Sequence, residues 1–457
     1  MNTTRRDLLR FSTFASLSHV LSPSTLFAAA TDSPDDSTAH SIFLQENFAP
    51  VKEEVTSHDL KIIGNLPADL IGMYVRNGPN PMFPPRGNYH WFDGDGMLHG
   101  VEINQGRASY RNRCIRTAGL ATEEKAGKAI YGGLLDPPNA NDYLRGPSNL
   151  FKNAGNTSLA WHHNKLLALW EAGLPHEIKV PSLDTVGLDS FAGQLQQPLT
   201  AHPTIDPKTG EMRFFGYGVF GSQVAYGIAD KTGQITHRAL IPCHYAAMMH
   251  DFAVTENYSI FLELPCALQM VPGKPLFAYE PDRGARIGIL PARGQADEIR
   301  WVDIEPCFVF HTLNAYEKDG AIHLLACRAR EFPPIIGPLA TDPRARWTDQ
   351  NVGYPRLVRW KIDPKSNQTS METIDDIACD FPRVNDNHLG QPTRFGYTMA
   401  IDFQTLAKFD FENRNRILHH HGKGRMGGEA LFVPRPGSTT EDDGWLLTYV
   451  FDSSTQK

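Results

Sequence analysis

Apolar residues occur along most of this chain in short runs that Gly, Pro, Asn or Asp interrupts. The runs are rich in β-branched, aromatic and aliphatic residues, which is typical of strands. They predict strands at 72–76, 100–103, 165–169, 212–218, 258–262, 321–325, 356–362 and 445–451. Beyond the N-terminal segment, helical periodicity is sustained only near 120–129. The pattern therefore predicts an all-β protein.

Short strands at regular spacing over so long a chain favour one large closed architecture. A β-propeller of about seven four-stranded blades, each of roughly 40–60 residues, fits this length better than one sandwich, which closes near about 100 residues. No exact repeat fixes the number of blades. A tandem of sandwiches is the alternative, although no Ser/Gly/Pro-rich linker divides the middle of the chain.

The first thirty residues read as a targeting segment. Arg5 and Arg6 precede a weakly apolar stretch that ends in small residues, Ala28 to Ala30. This order is that of a secretory signal, and the paired arginines are typical of twin-arginine export. An amphipathic N-terminal helix is the alternative. We expect a signal peptide at 1–30, a flexible spacer at 31–46, a single propeller domain at 47–457, and a periplasmic location.

Composition narrows the class of protein further. The 457 residues are 41% apolar and 21% charged, which excludes a chain that is disordered or coiled coil as a whole. The formal charge of −7 gives no general attraction to nucleic acid, so we predict no nucleic-acid partner. The six cysteines stand singly and are expected in the core, with one or two disulfides still open. No other stretch is long and apolar enough to span a membrane.

Three histidines occupy similar apolar settings next to strand-like runs: His202, His250 and His311. They are spaced by about one blade length, so in a propeller their imidazoles could converge on the central axis and hold a metal. Imidazoles without a thiolate suit iron, copper or zinc, and disfavour a structural zinc site. On spacing alone, an ordinary core or surface position explains each histidine better than a ligand position does.

Four segments carry a more specific signal: 74–81 (YVRNGPNP), 91–99 (WFDGDGMLH), 380–385 (DFPRVN) and 428–435 (GEALFVPR). Together they resemble the carotenoid cleavage oxygenase family, which includes lignostilbene dioxygenases and the retinoid isomerase. The resemblance extends from about residue 47 to the end of the chain. It implies a seven-bladed propeller with a mononuclear non-haem Fe(II) on its axis.

By this resemblance His202, His250 and His311 are three of four histidine ligands. Glu171, Asp380 and Glu429 are the carboxylates that orient the ligand imidazoles, because each imidazole needs an acceptor for its other N–H. Asp380 stands where many members have Glu, so its shorter side chain needs a shifted backbone or a bridging water. His162, His163 and His176 are expected on surface loops.

The chain departs from the family near its C-terminus. No histidine follows His421, so the fourth ligand has no counterpart, and the 419–421 histidine cluster is expected to be a loop rather than a substitute. The final strands that would close the ring are expected to be missing too. We expect a truncated enzyme; a catalytically inactive propeller that binds an apolar ligand is the alternative.

The implied reaction uses O₂ as co-substrate to cleave one C=C bond of a lipophilic conjugated alkene into two carbonyl products. We expect aromatic tunnel walls from Trp170, Phe308 and Phe310, and peripheral membrane contact where the substrate enters. Lignostilbene-type members carry Lys at the position of Trp170, so an apocarotenoid or carotenoid is favoured over a stilbene. Lys165 on the same strand could still reach a phenolate, which keeps a stilbene dioxygenase as an alternative. Isomerase activity is a third option.

Overall fold

The computed structural model describes residues 41–87, 89–134, 151–217, 221–269, 276–332, 353–366 and 368–456. These residues belong to one compact unit, Asp36–Lys457. The predicted signal peptide at 1–30 and most of the spacer at 31–46 lie outside the described residues, so both stay predictions.

Strands dominate the described part of the chain, and the one α-helix found there is short. The helix α1 spans Ala118–Ala126. The strands are β1 Thr56–Ser57, β2 Gly72–Asn80, β3 Asp95–Asn104, β4 Arg107–Cys114, β5 Ser158–His162, β6 Lys165–Leu169, β7 His176–Lys179, β8 Asp184–Leu188, β9 Thr204–Ile205, β10 Met212–Tyr217, β11 Gln223–Ala229, β12 Ile235–Pro242, β13 Ala253–Val254, β14 Tyr258–Glu263, β15 Cys266–Leu268, β16 Phe277–Tyr279, β17 Ala285–Pro291, β18 Arg300–Ile304, β19 Phe308–Lys318, β20 Ala321–Ala329, β21 Arg356–Ile362, β22 Thr369–Arg383, β23 Phe395–Ala400, β24 Thr405–Asp410, β25 Asn415–His420, β26 Arg425–Gly427, β27 Leu431–Pro434, β28 Gly444–Leu447 and β29 Val450–Asp452. The prediction of an all-β protein is confirmed.

Consecutive strands form antiparallel sheets of four. Their orders are β1-β4-β3-β2, β5-β6-β7-β8, β12-β11-β10-β9 and β13-β14-β17-β18. A seven-stranded sheet runs from β19 to β25, and its long central strand β22 pairs with β21 through its first half and with β23 through its second. This sheet is therefore two four-stranded units that share one strand. The ribbons β15-β16, β26-β29 and β27-β28 complete the described sheets.

Strand β6 shows how the sheets pack on each other. Its residues Leu166 and Ala168 belong to an apolar cluster with Leu98 of β3, whereas Leu167 and Leu169 belong to another cluster with Met212 and Phe214 of β10. Because successive strand residues point to opposite faces, β6 is buried by the preceding sheet on one side and the following sheet on the other. An uninterrupted apolar run is the sequence form of such a strand.

The same alternation continues along the chain. Phe261 of β14 packs toward β10, while Ile260 and Leu262 pack toward β20. In β20, Leu324 faces β14 and Leu325 faces β24. The core is thus divided into layers between neighbouring sheets, as in the predicted propeller. The count of seven blades stays a prediction.

The first sheet also contacts the C-terminal ribbons. Tyr74 of β2 stacks on Tyr449 with ring centroids 5.2 Å apart, and Arg435 pairs with Asp69 at 3.1 Å. The expectation that further closing strands are missing stays a prediction.

Several local predictions can be compared directly with the structure. The strands predicted at 165–169 and 356–362 are confirmed to the residue as β6 and β21. The single strand predicted at 445–451 is wrong, because Thr448 and Tyr449 turn to bond Gly428 and divide it into β28 and β29. Helix α1 begins and ends earlier than predicted. It stops where Gly127 adopts the left-handed φ of 67° that favours glycine at a helix end.

All six cysteines are free and form no disulfides; five are buried core residues, and Cys243 is partly exposed. No helix among the described residues is long and apolar enough to cross a membrane.

Candidate metal centre

Three consecutive sheets each place one histidine at or just before their first strand: His202, His250 and His311. His202 precedes β9, His250 precedes β13, and His311 lies within β19. The structure brings the three side chains together, with one potential ligand atom of each lying within 4.8 Å of the others. The ring centroids are 4.6 Å apart for His202 and His250, 5.1 Å for His202 and His311, and 5.0 Å for His250 and His311. Convergence of three imidazoles is the arrangement of a metal site.

Two of the imidazoles are held from behind by carboxylates. Nδ1 of His250 lies 3.0 Å from Oε2 of Glu171, and Nδ1 of His311 lies 2.9 Å from Oδ1 of Asp380. A proton on Nδ1 that bonds the carboxylate leaves the lone pair on Nε2 free for a metal. Nε2 of His250 does face the cluster, where it lies 3.0 Å from Nε2 of His202.

The shorter Asp380 reaches its imidazole directly, from a strand that is bulged at this point. The register between β22 and β23 slips between Asp380 and Arg383, which marks a bulge. Within it Phe381 has a φ of 54°, a left-handed conformation that is costly for a non-glycine residue. Bulges next to functional sites re-aim a side chain, and here the bulge accompanies the contact to His311.

Glu429 does not contact an imidazole. Its carboxylate lies 3.3 Å from Nη1 of Arg383, and its side chain is 48% exposed. The expected imidazole-orienting contact of Glu429 is thus not formed, because the described chain offers no fourth histidine at this position. Glu429 nevertheless lies on the wall of the same cavity.

Burial and the neighbouring charges shift the pKa values of His202 and His311 in opposite directions. Burial lowers the pKa of His202 well below its ordinary value, and the neighbouring His250 and His311 lower it further. For His311, burial lowers the pKa, but Asp380, Asp251 and Glu429 together outweigh burial and raise the pKa to about 9. His202 is therefore neutral at pH 7 and already in the form that binds a metal, whereas the protonated His311 must first release a proton to solvent before its ring can bind a cation.

A cavity of about 390 Å³ opens over the cluster, within the usual size range of small-molecule sites. Trp170, Phe310, Phe381 and Phe403 are among its aromatic walls. Of the expected wall residues, Trp170 and Phe310 line the cavity and Phe308 does not. Phe308 lies one layer deeper, where its ring packs edge-to-face on Phe310 at 4.8 Å and on Phe332 at 4.6 Å.

The structure shows site residues that the sequence reasoning missed. The hydroxyl of Tyr217 donates to Oε1 of Glu171, which leaves Oε2 for His250. Asp251, next to His250, accepts hydrogen bonds from Thr312, next to His311. An acid inside the apolar run 248–252 was a usable signal for Asp251. Tyr217 has no comparable signal, because an aromatic residue at the end of β10 is an ordinary core residue in sequence.

Other histidines differ from expectation. His162 and His176 are each 3% exposed, so their expected surface position is wrong. His162 bonds the Gly210 carbonyl at 3.1 Å, because its strand β5 is covered on that side. The cluster 419–421 is not a loop throughout, since His419 and His420 end the exposed strand β25. None of these histidines joins the group formed by His202, His250 and His311 in the described part of the chain.

Comparison with known proteins gives consistent matches over nearly the whole chain. The family model of the retinal pigment epithelial membrane protein (RPE65) matches residues 48–457. Carotenoid 9,10(9′,10′)-cleavage dioxygenase 1 of Pisum sativum is 36% identical over 92% of this chain and 84% of its own length. Isoeugenol monooxygenase of Pseudomonas nitroreducens is 32% identical over 88% of this chain and 87% of its own.

Solved structures give the same result. The lignostilbene dioxygenase of Pseudomonas brassicacearum superposes with a TM-score of 0.82 at 26% identity, covering 91% of both chains. A variant of the Synechocystis apocarotenoid oxygenase superposes with a TM-score of 0.79 at 30% identity, covering 89% of both.

Proposed function

This chain belongs to the family of carotenoid cleavage oxygenases and RPE65, and we propose that it is a non-haem Fe(II) oxygenase that cleaves one C=C bond of an apocarotenoid or related polyene. Its family places it among enzymes of oxidative cleavage. The observation that carries the proposal is the convergence of His202, His250 and His311 beneath an aromatic cavity.

The donor set fits iron. Three imidazole nitrogens converge, two of them braced by carboxylates at Nδ1, and imidazole is a ligand type that suits Fe(II). His202, His250 and His311 would hold the ion, with Glu171 and Asp380 fixing two of the rings. Bound iron would supply the O₂ chemistry, which protein side chains cannot supply themselves.

The chain's own contribution is to bind, orient and keep water out. Trp170, Phe310 and Phe381 present apolar faces to the space above the cluster, which suits a conjugated hydrocarbon. Such walls offer few directional bonds, so the position of the cleaved bond would depend on how far the substrate slides inward. Glu171 and Asp380 accept hydrogen bonds from Nδ1 of His250 and His311. This keeps the ring proton on Nδ1 and leaves Nε2 of each imidazole available to a metal.

Trp170 supports a polyene over a hydroxystilbene. The residue presents an indole to the cavity, where a lysine would offer a cation to a phenolate. Lys165 does not take over that role, because its ammonium bonds Glu177 at 2.6 Å and Asp189 at 3.0 Å. The expectation that Lys165 could serve a phenolate is therefore not supported.

A phenolic alkene is the second candidate. The similarity to isoeugenol monooxygenase and to lignostilbene dioxygenase favours keeping stilbenes and phenylpropenes in any substrate screen. Entry of a lipophilic substrate from a membrane, and export through the twin-arginine route to the periplasm, stay proposals from the sequence.

The test is iron content combined with O₂-dependent turnover. We expect the purified chain, loaded with Fe(II), to consume O₂ and bleach an apocarotenal faster than a hydroxystilbene. The control is the same preparation in which His250 is replaced by alanine. Faster turnover of the stilbene would favour the second candidate. Tight substrate binding with iron bound and no turnover of any alkene would overturn the proposal in favour of a silent binding propeller.

A further inference from the structure

The three ligand segments lie where the sheet ladders give the least support. Strands β9 and β13 contain two residues each and begin only after His202 and His250. In β19, the register slips on both sides of Thr312, directly beside His311. Backbone groups outside a ladder need other partners when they are buried. The position of each ligand must therefore be fixed by contacts other than strand pairing.

Asp251 supplies such contacts between two ligand segments. Its Oδ2 accepts hydrogen bonds from the backbone N–H of Thr312 at 2.7 Å and from the Thr312 hydroxyl at 3.0 Å. Its Oδ1 accepts the N–H of Phe252 at 2.7 Å. The residue is 8% exposed. One buried carboxylate thus ties the segment that carries His250 to the bulged strand that carries His311.

Thr200 makes a similar tie on the other side of His250. Its hydroxyl accepts the N–H of His202 at 3.2 Å and donates to the carbonyl of His250 at 3.4 Å. Thr200 is fully buried. The hydrogen bonds of Thr200, Asp251 and Thr312 therefore run from one ligand segment to the next across three sheets. We call these three residues the ligand brace.

The carboxylate is the costly member of the ligand brace. A buried carboxylate is expensive unless donors satisfy it, and here three short hydrogen bonds from neutral groups do so. Hydrogen bonds to a charged acceptor are about twice as strong as neutral ones. An apolar side chain of the same size could not accept these hydrogen bonds, so the two segments would lose their connection at this point.

We propose that Asp251 is a positioning residue of the metal centre, which sets the distance between His250 and His311 through Thr312. The inference rests on the proposed metal site but concerns a residue that contacts neither the metal position nor an imidazole. Loss of an outer partner of a metal ligand typically weakens metal binding by about 10- to 100-fold. We expect Asp251 to act in that range, with Thr312 acting more weakly because its backbone N–H would remain.

The experiment titrates Co²⁺ into the full chain without iron and follows both affinity and the visible absorption of the bound ion. Asp251→Asn has the same shape but presents an amide N–H₂ where a carboxylate oxygen accepts. We expect it to weaken Co²⁺ binding about 10- to 100-fold and to change the absorption at saturation. Thr312→Val should weaken Co²⁺ binding by roughly 3- to 10-fold. This second variant still tests the inference if Asp251→Asn does not fold.

Thr255→Val is the matched control. Thr255 is a buried threonine just after β13 whose hydroxyl bonds Glu317, away from the three histidines. Its loss should lower the unfolding temperature while Co²⁺ affinity and absorption stay as in the wild type. If Thr312→Val and any folded Asp251→Asn protein behave like this control, the inference is overturned.

The two proposals fail in different ways. A wild type that binds Co²⁺ but, once loaded with iron, cleaves no alkene would overturn the proposed function and leave the ligand brace in place. A wild type that binds no Co²⁺ would overturn both, and it is recognised without any variant.

Discussion

The pair Glu171–His250 and the pair Asp380–His311 do the same thing by different means. The carboxylate–imidazole distances are nearly equal, 3.0 Å and 2.9 Å. Glu171 reaches from the loop after β6 and is itself held by Tyr217. Asp380 is one methylene shorter and stands on a bulged strand beside the left-handed Phe381. Two carboxylates of different length thus reach their imidazoles at nearly the same distance, and only the shorter one stands on a bulged strand.

Removing the imidazoles would break both pairs and give the largest effect. We expect His250→Ala and His311→Ala each to lower the affinity for Fe(II) by at least about 100-fold, because only two of the three imidazoles would then remain to hold the ion. Metal analysis after anaerobic loading measures this. His237→Ala is the control, since His237 bonds the Gly294 carbonyl away from the site. Full metal occupancy in either ligand variant would contradict the assignment.

Exchanging the two side-chain lengths would test how strictly the backbone is matched. Glu171→Asp should leave a gap to His250, and Asp380→Glu should push against His311 from a bulge built for a shorter residue. We expect each to weaken Fe(II) binding by roughly 10-fold. Competition with a metal-sensitive dye measures the affinity. An Asp380→Glu variant with unchanged affinity would show that the bulge is not adjusted to Asp380.

Tyr217 bonds only Glu171, so a change at Tyr217 should affect the Glu171–His250 pair and leave the Asp380–His311 pair unchanged. Tyr217→Phe removes the donor to Oε1 of Glu171, a partly buried carboxylate, and losing one such hydrogen bond costs about 1–3 kcal/mol. We expect a loss of that size in the free energy of unfolding, measured in urea. In a Glu171→Gln background the same change should cost less, whereas in an Asp380→Asn background it should cost the same. Equal costs in all three backgrounds would argue against the link.

Trp170→Lys leaves both pairs intact and is expected to change only the choice of substrate. A cation next to Glu171 should favour a phenolic substrate, so we expect the ratio of kcat/KM for hydroxystilbene over apocarotenal to rise by about 10-fold, equivalent to about 1.4 kcal/mol. Lys165→Ala is the control and should leave the ratio unchanged, because Lys165 already pairs with Glu177 and Asp189. An unchanged ratio in Trp170→Lys would remove the argument from this position to the substrate.

Sequence reasoning predicted two strands to the residue because their local patterns suffice. The run 165–169 is almost wholly apolar, and in 356–362 the apolar residues Val358, Trp360 and Ile362 alternate with Arg359 and Lys361. It failed at 445–451, since the turn at Thr448 depends on Gly428, twenty residues away. It also placed His162 and His176 on the surface, because burial by a neighbouring sheet leaves no local signature.

The candidate site also contains residues that the sequence predicted and residues that it could not predict. The resemblance to the family pointed to His202, His250 and His311, and their spacing alone could not show that they meet. The contact of Asp380 with His311 involves a bulge, and nothing in the sequence of residues 380–383 predicts one. Tyr217 and Thr312 act through hydrogen bonds between sheets, which only the folded arrangement determines.

Strand β22 has one more consequence. A single unbroken backbone, Thr369–Arg383, is the last strand of one four-stranded unit and the first of the next. Neither unit can open without disturbing the other, so amide hydrogen exchange should find them as one cooperative block. Asp380 sits where the two units join, so the backbone that carries its carboxylate would be displaced only when that block opens.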